Sequence, residues 1–273
     1  MSSELSILII MVAIFLVARM VHPGKAQQGE GLGGDSMPIF ETDVLKVATF
    51  NVQTGKSLDG KRDIQKSAHA LAGADIVGVQ EVYAAGWMNK LGAGSSQTDA
   101  LANPGGFAHL FAATRYRWFR EQRGNLLLSK LAAQDWRIDV LPDQSRKSPR
   151  NMTVANFNWQ GQQIVFINTH LHTGKGRETQ LRSVLEEFAK HPRAVLVGDF
   201  NSKRDTPLLL EALADPTIVD AIQQAGLGLE NHDRIDWILS RGFKVIDGEM
   251  LEKGISDHPF YQVSLSLANY TGF

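Results

Sequence analysis

Most of this chain is punctuated by short apolar runs, rich in β-branched residues, that stop on or just before a polar residue. Residues 44–50, 76–79, 125–129, 194–197, 235–239, 243–246 and 260–267 are such runs, too short for helices and right for buried strands. Residues 136–141 and 152–159 alternate, and Gly161 turns the chain into another strand over 163–171. Helical patterns lie between them. Residues 63–71 are stopped by Gly73, residues 177–190 carry Leu181, Val184, Leu185 and Phe188 on one face, and Thr206-Pro207 opens a third. Hairpins mixed with helical crossovers exclude an all-parallel sheet and an all-β sandwich. Two mixed sheets packed face to face, with helices outside, fit best.

Asn51, Glu81, His170, Asp199, Asn201, Asp236, Asp257 and His258 all lie in or just beyond these strands. If the strand ends meet at one edge of the sandwich, they make a carboxylate-rich pocket. Buried carboxylates without partners are costly. A hard divalent cation would neutralise several at once, and an oxygen-rich donor set points to Mg²⁺ or Mn²⁺. In such a pocket Asp199 can accept a proton from water and Asn201 can orient that water. A histidine paired with a carboxylate can donate to a phosphoryl oxygen. The chain has no cysteine, which excludes disulfides, thiolate zinc sites and a cysteine nucleophile. Its formal net charge of −1 leaves attraction to polyanions to local patches. Lys175, Arg177, Arg146 and Lys147 supply positive charge near the expected pocket. The basic and aromatic run at 115–123 suits either a nucleic-acid backbone or, the favoured reading, a strand with a solvated basic face.

The segments KVATFNV at 46–52, VQE at 79–81, GNLLLS at 124–129, INTHL at 167–171, VGDFN at 197–201, RIDWIL at 234–239 and SDHPF at 256–260 resemble, in order and spacing, the motifs of the endonuclease/exonuclease/phosphatase superfamily. The resemblance covers about residues 44–267. It implies the four-layered α/β-β/α sandwich and a Mg²⁺-dependent phosphoesterase that cleaves by water attack. It implies Glu81 as principal metal ligand with Asn51 and Asp257. Asp199 becomes the water-activating aspartate and Asn201 its partner, with His258 the catalytic histidine, Asp236 its orienting carboxylate and His170 the second histidine. Arg150 and Asn125 become substrate contacts. Gln53 and His170 depart from the abasic-site endonuclease subgroup. His170 favours a phosphodiesterase or nuclease. The alternative is a phosphatase or sphingomyelinase-like enzyme acting on inositol phosphate or lipid headgroups. A more remote alternative is an inactive binding protein, which the intact residue set argues against. A monomer is expected.

Residues 7–18 are unbroken apolar, and about 17 residues qualify for a marginal span. The expected organisation is a membrane anchor at 1–22, a flexible glycine-rich linker at 23–43 and one domain at 44–269. A cleaved signal peptide is the rival reading, although Glu4 stands where a basic region belongs. The side of the membrane is left open.

Overall fold

The computed structural model describes residues 3–20, 22–33, 42–86, 96–116, 121–142 and 149–268. Two seven-stranded sheets face each other. The first has the order β1-β5-β6-β4-β3-β14-β13, built from β1 (His22–Pro23), β3 (Leu45–Asn51), β4 (Ile76–Ala84), β5 (Ala108–Tyr116), β6 (Gln122–Ser129), β13 (Phe243–Leu251) and β14 (Phe260–Leu267). The second runs β11-β12-β10-β9-β8-β7-β2, from β2 (Gln27–Leu32), β7 (Ala133–Val140), β8 (Asn151–Trp159), β9 (Gln162–His170), β10 (Ala194–Asp199), β11 (Ile218–Asp220) and β12 (Asp236–Arg241). Each sheet holds one parallel pair, β3 with β4 and β9 with β10. Parallel neighbours need a crossover. The helices α2 (Ile64–Leu71) and α4 (Arg177–Ala189) supply it, one on each outer face.

Three cores separate four layers. Val47, Leu127, Phe166, Val197 and Ile238 fill the space between the sheets. On one outer face Ala68 and Leu71 of α2 and Leu101 of α3 (Gln97–Ala102) cover Phe50, Val77 and Leu126. On the other, Leu181, Val184 and Phe188 of α4 and Leu209 of α5 (Pro207–Leu213) cover Ile167, Leu196 and Trp237. Strands buried on both faces need apolar side chains at every position, which explains the unbroken runs in the sequence. The short helix α6 (Ala221–Gln224) closes the sandwich beside β11. Pro207 opens α5 as the sequence predicts, but Thr206 makes no side-chain cap.

The N-terminus departs from the sequence reading. Helix α1 (Ser3–Arg19) has 17 residues. At 1.5 Å per residue it reaches about 25 Å, short of a hydrocarbon core of about 30 Å. Among the described residues no helix is long and apolar enough to cross a membrane, so the transmembrane expectation gains no support from the fold. Nor are residues 23–33 a free linker. β1 pairs with β5 on the edge of the first sheet, and β2 pairs with β7 on the edge of the second. The segment therefore straps the two sheets together. Gly29 lies opposite Trp136, whose ring would come within 2.5 Å of a Cβ there. The glycine leaves room for the aromatic ring to cover the edge. Residues 34–41, including Met37, and the basic pair Arg146 and Lys147 lie outside the described residues.

This strap gives a stability prediction. A chain starting at His22 should melt near the full-length value. A chain starting at Met37 loses both edge ladders, at about 0.5–1.5 kcal/mol per hydrogen bond. A shift of about 2–4 °C per kcal/mol then lowers Tm by roughly 5–15 °C. Equal melting temperatures by calorimetry would show that β1 and β2 contribute nothing.

Candidate active site

The strand register brings the expected residues to one edge. His170 and Asp199 end neighbouring parallel strands and are direct partners, and Asp199 is also the partner of Asp236 across β10 and β12. These three residues thus form a row on the second sheet. Asn51 ends β3 on the opposing sheet. Its Nδ2 donates to Asp199 Oδ2 at 3.1 Å, which joins the sheets across the site. Beneath it, Gln80 Nε2 donates to Asn168 Oδ1 at 2.9 Å, and Asn168 Nδ2 donates to the Leu126 carbonyl at 3.1 Å. Gly78 lets the sheets approach here, because a Cβ would stand 2.4 Å from a Val197 methyl.

Asp199 is 2% exposed. Its Oδ1 accepts the Asn201 backbone N–H at 2.9 Å. Its Oδ2 lies 3.4 Å from His170 Nε2 and 3.8 Å from His258 Nε2. Burial, and then the Asp236 charge, push its carboxyl up to about 7 against the pull of His258, Asn201 and Asn51. His258 Nδ1 donates to Asp236 Oδ2 at 2.8 Å. Burial pulls this imidazole down, but the hydrogen bond and charge of Asp236 outweigh it and hold the ring at about 9. The ring is therefore an imidazolium at neutral pH with its orientation set by Asp236. His170 is the opposite case. Burial, and then the positive charges of Arg150 and His258, hold it well below its ordinary value, so it stays neutral.

Backbone strain marks the same edge. Glu81 has φ 58°, Asn201 48°, Gln53 44° and Thr54 54°. Non-glycine residues in the left-handed region are uncommon and gather where a site needs them. Glu81 sits in a bulge of β4, where the register with β6 shifts between Val79 and Val82. The bulge re-aims its carboxylate, whose ion pair with Arg123 is long at 3.7 Å. Asn201 Nδ2 donates to the Leu171 carbonyl at 3.0 Å, and Arg177 Nη1 donates to the Asn201 carbonyl at 2.6 Å. Asn201 is thus clamped on both sides.

Asp257 Oδ2 accepts Gln53 Nε2 at 2.8 Å, and Asn51 Oδ1 accepts the Gln53 backbone N–H at 3.0 Å. Gln53 therefore organises two of the expected metal ligands, a role that the sequence reading missed. The signal was its place two residues after Asn51. Arg150 is half-buried, and its Nε has no hydrogen-bond partner among the described residues. Burial lowers its pKa, opposed by the charges of Asp199 and Glu81. Asn125 is 1% exposed, and its Nδ2 donates to Asn151 Oδ1 at 3.1 Å, which links β6 to β8 beside the site.

Among the described residues, the one group of three or more acidic or histidine side chains whose donor atoms lie within 4.8 Å of one another is Asp199, Asp236 and His258. Its imidazolium is hydrogen-bonded to a carboxylate, which suits proton transfer better than metal ligation. Glu81, Asn51 and Asp257 stand beside it as a separate set of oxygen donors. The unpartnered, buried Asp236 Oδ1 adds to the excess of negative charge.

Gly198 makes this row possible. It adopts φ 145°, and a Cβ there would fall 1.9 Å from the Thr169 carbonyl oxygen. Gly198→Ala should cost about 2–4 kcal/mol of stability and displace Asp199. Denaturant unfolding that matches the parent would show that the row tolerates a side chain.

The comparisons agree with this fold. A search of curated proteins matches none of them. Among solved structures, an endonuclease/exonuclease/phosphatase from Beutenbergia cavernae is 21% identical, with 82% of this chain and 72% of that one covered and a TM-score of 0.66. D. rerio TDP2, complexed with a single-strand DNA product, is 17% identical, with 82% and 99% covered and a TM-score of 0.59. A mannosyl-6-phosphatase from Bacteroides thetaiotaomicron is 17% identical, with 82% and 100% covered and a TM-score of 0.56. At these identities the three speak for the fold alone. The sequence profile of the Endonuclease/Exonuclease/phosphatase family, however, matches residues 48–258, from β3 to the histidine of the site, and the chain belongs to that family.

Proposed function

We propose that this chain is a divalent-cation-dependent phosphoesterase that hydrolyses a phosphodiester by in-line attack of water. The carrying observation is the buried Asp199 carboxylate, held between Asn51 and Asn201, beside the Asp236–His258 pair. Asp199, with its pKa raised to about 7, is matched to accepting a proton from water near neutral pH. Its two hydrogen bonds fix which lone pair faces the water. The His258 imidazolium donates to a phosphoryl oxygen, and Asp236 keeps the ring charged and oriented. Neutral His170, its Nε2 3.4 Å from Asp199 Oδ2, borders the carboxylate without adding charge. Arg150, with an unpartnered Nε, is placed to contact a phosphate oxygen as the charge grows.

The oxygen donors of Glu81, Asn51 and Asp257 are suited to Mg²⁺ or Mn²⁺, and the strained Glu81 has no short partner that would satisfy its charge. When bound, such a cation supplies charge neutralisation at the phosphoryl and leaving oxygens. The DNA product complex of the TDP2 neighbour supports a polynucleotide substrate. The mannosyl-6-phosphatase neighbour supports the second reading, a phosphomonoester. The deciding experiment is a panel of DNA, RNA, inositol phosphates, sugar phosphates and sphingomyelin, each with Mg²⁺ and with EDTA. Hydrolysis of an oligonucleotide that EDTA abolishes supports the proposal. Turnover of monoesters alone overturns the diester reading, and turnover unchanged in EDTA overturns the cation.

A further inference from the structure

Next to the site, Tyr83 on β4 pairs with Arg123 on β6, and Arg123 pairs with Arg115 on β5. Directly opposed residues project to the same side of a sheet, so two arginines face each other across β5 and β6. Like charges in that arrangement are destabilising. The Arg123 guanidinium stands 5.2 Å over the Tyr83 ring and 3.7 Å from Glu81. Arg123 and Asn125 are two residues apart on β6 and share a face, and Asn125 reaches β8 of the opposite sheet. The arginine row therefore continues the floor of the cleft outward from Glu81.

The row lines a cavity of about 90 Å³ with Tyr83, Arg115, Tyr116, Glu121 and Arg123. That is room for several waters, enough to admit a phosphate group. Among the described residues Glu121 is the one acidic side chain of the lining, against two guanidinium groups. The outer wall is held by the N-terminal strap, where His22 stacks on Tyr116 at 5.2 Å and β1 pairs with Tyr116 and Arg115. The charges of Arg123 and Arg115 also reach the site, since both act on Arg150.

We infer that this row is a subsite for a second phosphate, that of the nucleotide next to the scissile bond in a single-stranded polynucleotide. The inference rests on the phosphodiester reading and deepens it, because a subsite for a neighbouring phosphate selects chains over isolated esters.

The test uses the full chain and two variants, Arg115→Gln and Arg123→Gln. Arg115 is the cleaner probe, because Arg123 also touches Glu81. Binding of a fluorescent pentanucleotide is followed by anisotropy in EDTA. In parallel, kcat/KM is measured with Mg²⁺ for the pentanucleotide and for a dinucleotide with one phosphate. The expected result is affinity for the pentanucleotide about tenfold weaker in each variant. The salt slope should be smaller by about 0.7. The pentanucleotide-to-dinucleotide ratio of kcat/KM should fall about tenfold in Arg115→Gln. Equal pentanucleotide affinity in the parent and both variants would overturn the subsite. Displacement of the pentanucleotide by an inositol polyphosphate at lower concentration than by unlabelled strand would overturn the polynucleotide assignment. Weaker binding in the variants, with no hydrolysis of either nucleotide by the parent, would keep the subsite and sink the phosphodiesterase reading instead.

Discussion

Asp199→Asn lowers kcat by about 10²–10⁴-fold, the usual range for losing a general base, and leaves the melting temperature unchanged or higher. The two halves of this expectation share one cause. The carboxylate is 2% exposed, and burial with the nearby Asp236 charge raises it from 3.8 to about 7. A raised folded-state value means that the fold disfavours the ionised form. Its contribution to stability is fully present below the unfolded value and is lost as pH rises through about 7. Asparagine keeps the shape and removes the buried charge, which offsets the loss of one of the two hydrogen bonds that the carboxylate accepts from Asn51 and Asn201. Asparagine also cannot take a proton from water. The parent's kcat/KM should rise with pH as Asp199 ionises, at or below about 7 once a cation is bound, and fall as His258 loses its proton near 9. The variant should lack the rising limb. A pH–rate profile with that limb intact would assign the base to another group, and loss of the native circular dichroism signal would recast Asp199 as structural.

Removing the cation should have an effect of similar size. Chelation with EDTA is expected to abolish turnover, and added Mg²⁺ or Mn²⁺ to restore it. Several kcal/mol of charge stabilisation, at tenfold per about 1.4 kcal/mol, amounts to roughly 10³-fold or more. Glu81→Gln should behave like chelation at low Mg²⁺. The left-handed backbone at Glu81, φ 58°, holds a carboxylate at the bulge of β4 whose one ion pair among the described residues, with Arg123, is long at 3.7 Å, so a cation would satisfy a charge the fold leaves loosely paired. Binding has a readout independent of activity. A ligand of the folded state raises Tm in proportion to RT ln(1 + [L]/Kd). The parent should gain several degrees in millimolar Mn²⁺ and Glu81→Gln little or nothing. An equal thermal response in the two proteins would place the cation elsewhere, and the Asp199, Asp236 and His258 group would be the next candidate.

What could be read in advance followed from burial on both faces of a strand. β3, β4, β6, β10, β12 and β14 were legible as unbroken apolar runs because helices cover one side and the second sheet the other. The site residues were legible because charged and amide side chains are tolerated only where such strands reach the surface. β5 was missed: its burial alternates weakly and its sequence, AHLFAATRY, mixes small, aromatic and basic residues. The basic run at 115–123 is not one strand with a wet face. Arg115 and Tyr116 end β5, Gln122 and Arg123 begin β6, and residues 117–120 lie outside the described residues.

The sequence by itself determined the strand and helix periodicities and the residue types delivered to the strand ends, because both follow from local side-chain chemistry. Only the tertiary structure decided the rest. The glycine-rich stretch after α1 became a strap in which Trp136, on another strand, fills the space that Gly29 leaves. Gln53 met Asp257 across 204 positions. Arg115 came to face Arg123 through a register that shifts at a bulge between Ala113 and Arg115. Such pairings depend on which strands become neighbours and in what register. The free energy that chooses a register is spread over the whole buried face, so no single segment of the sequence carries it.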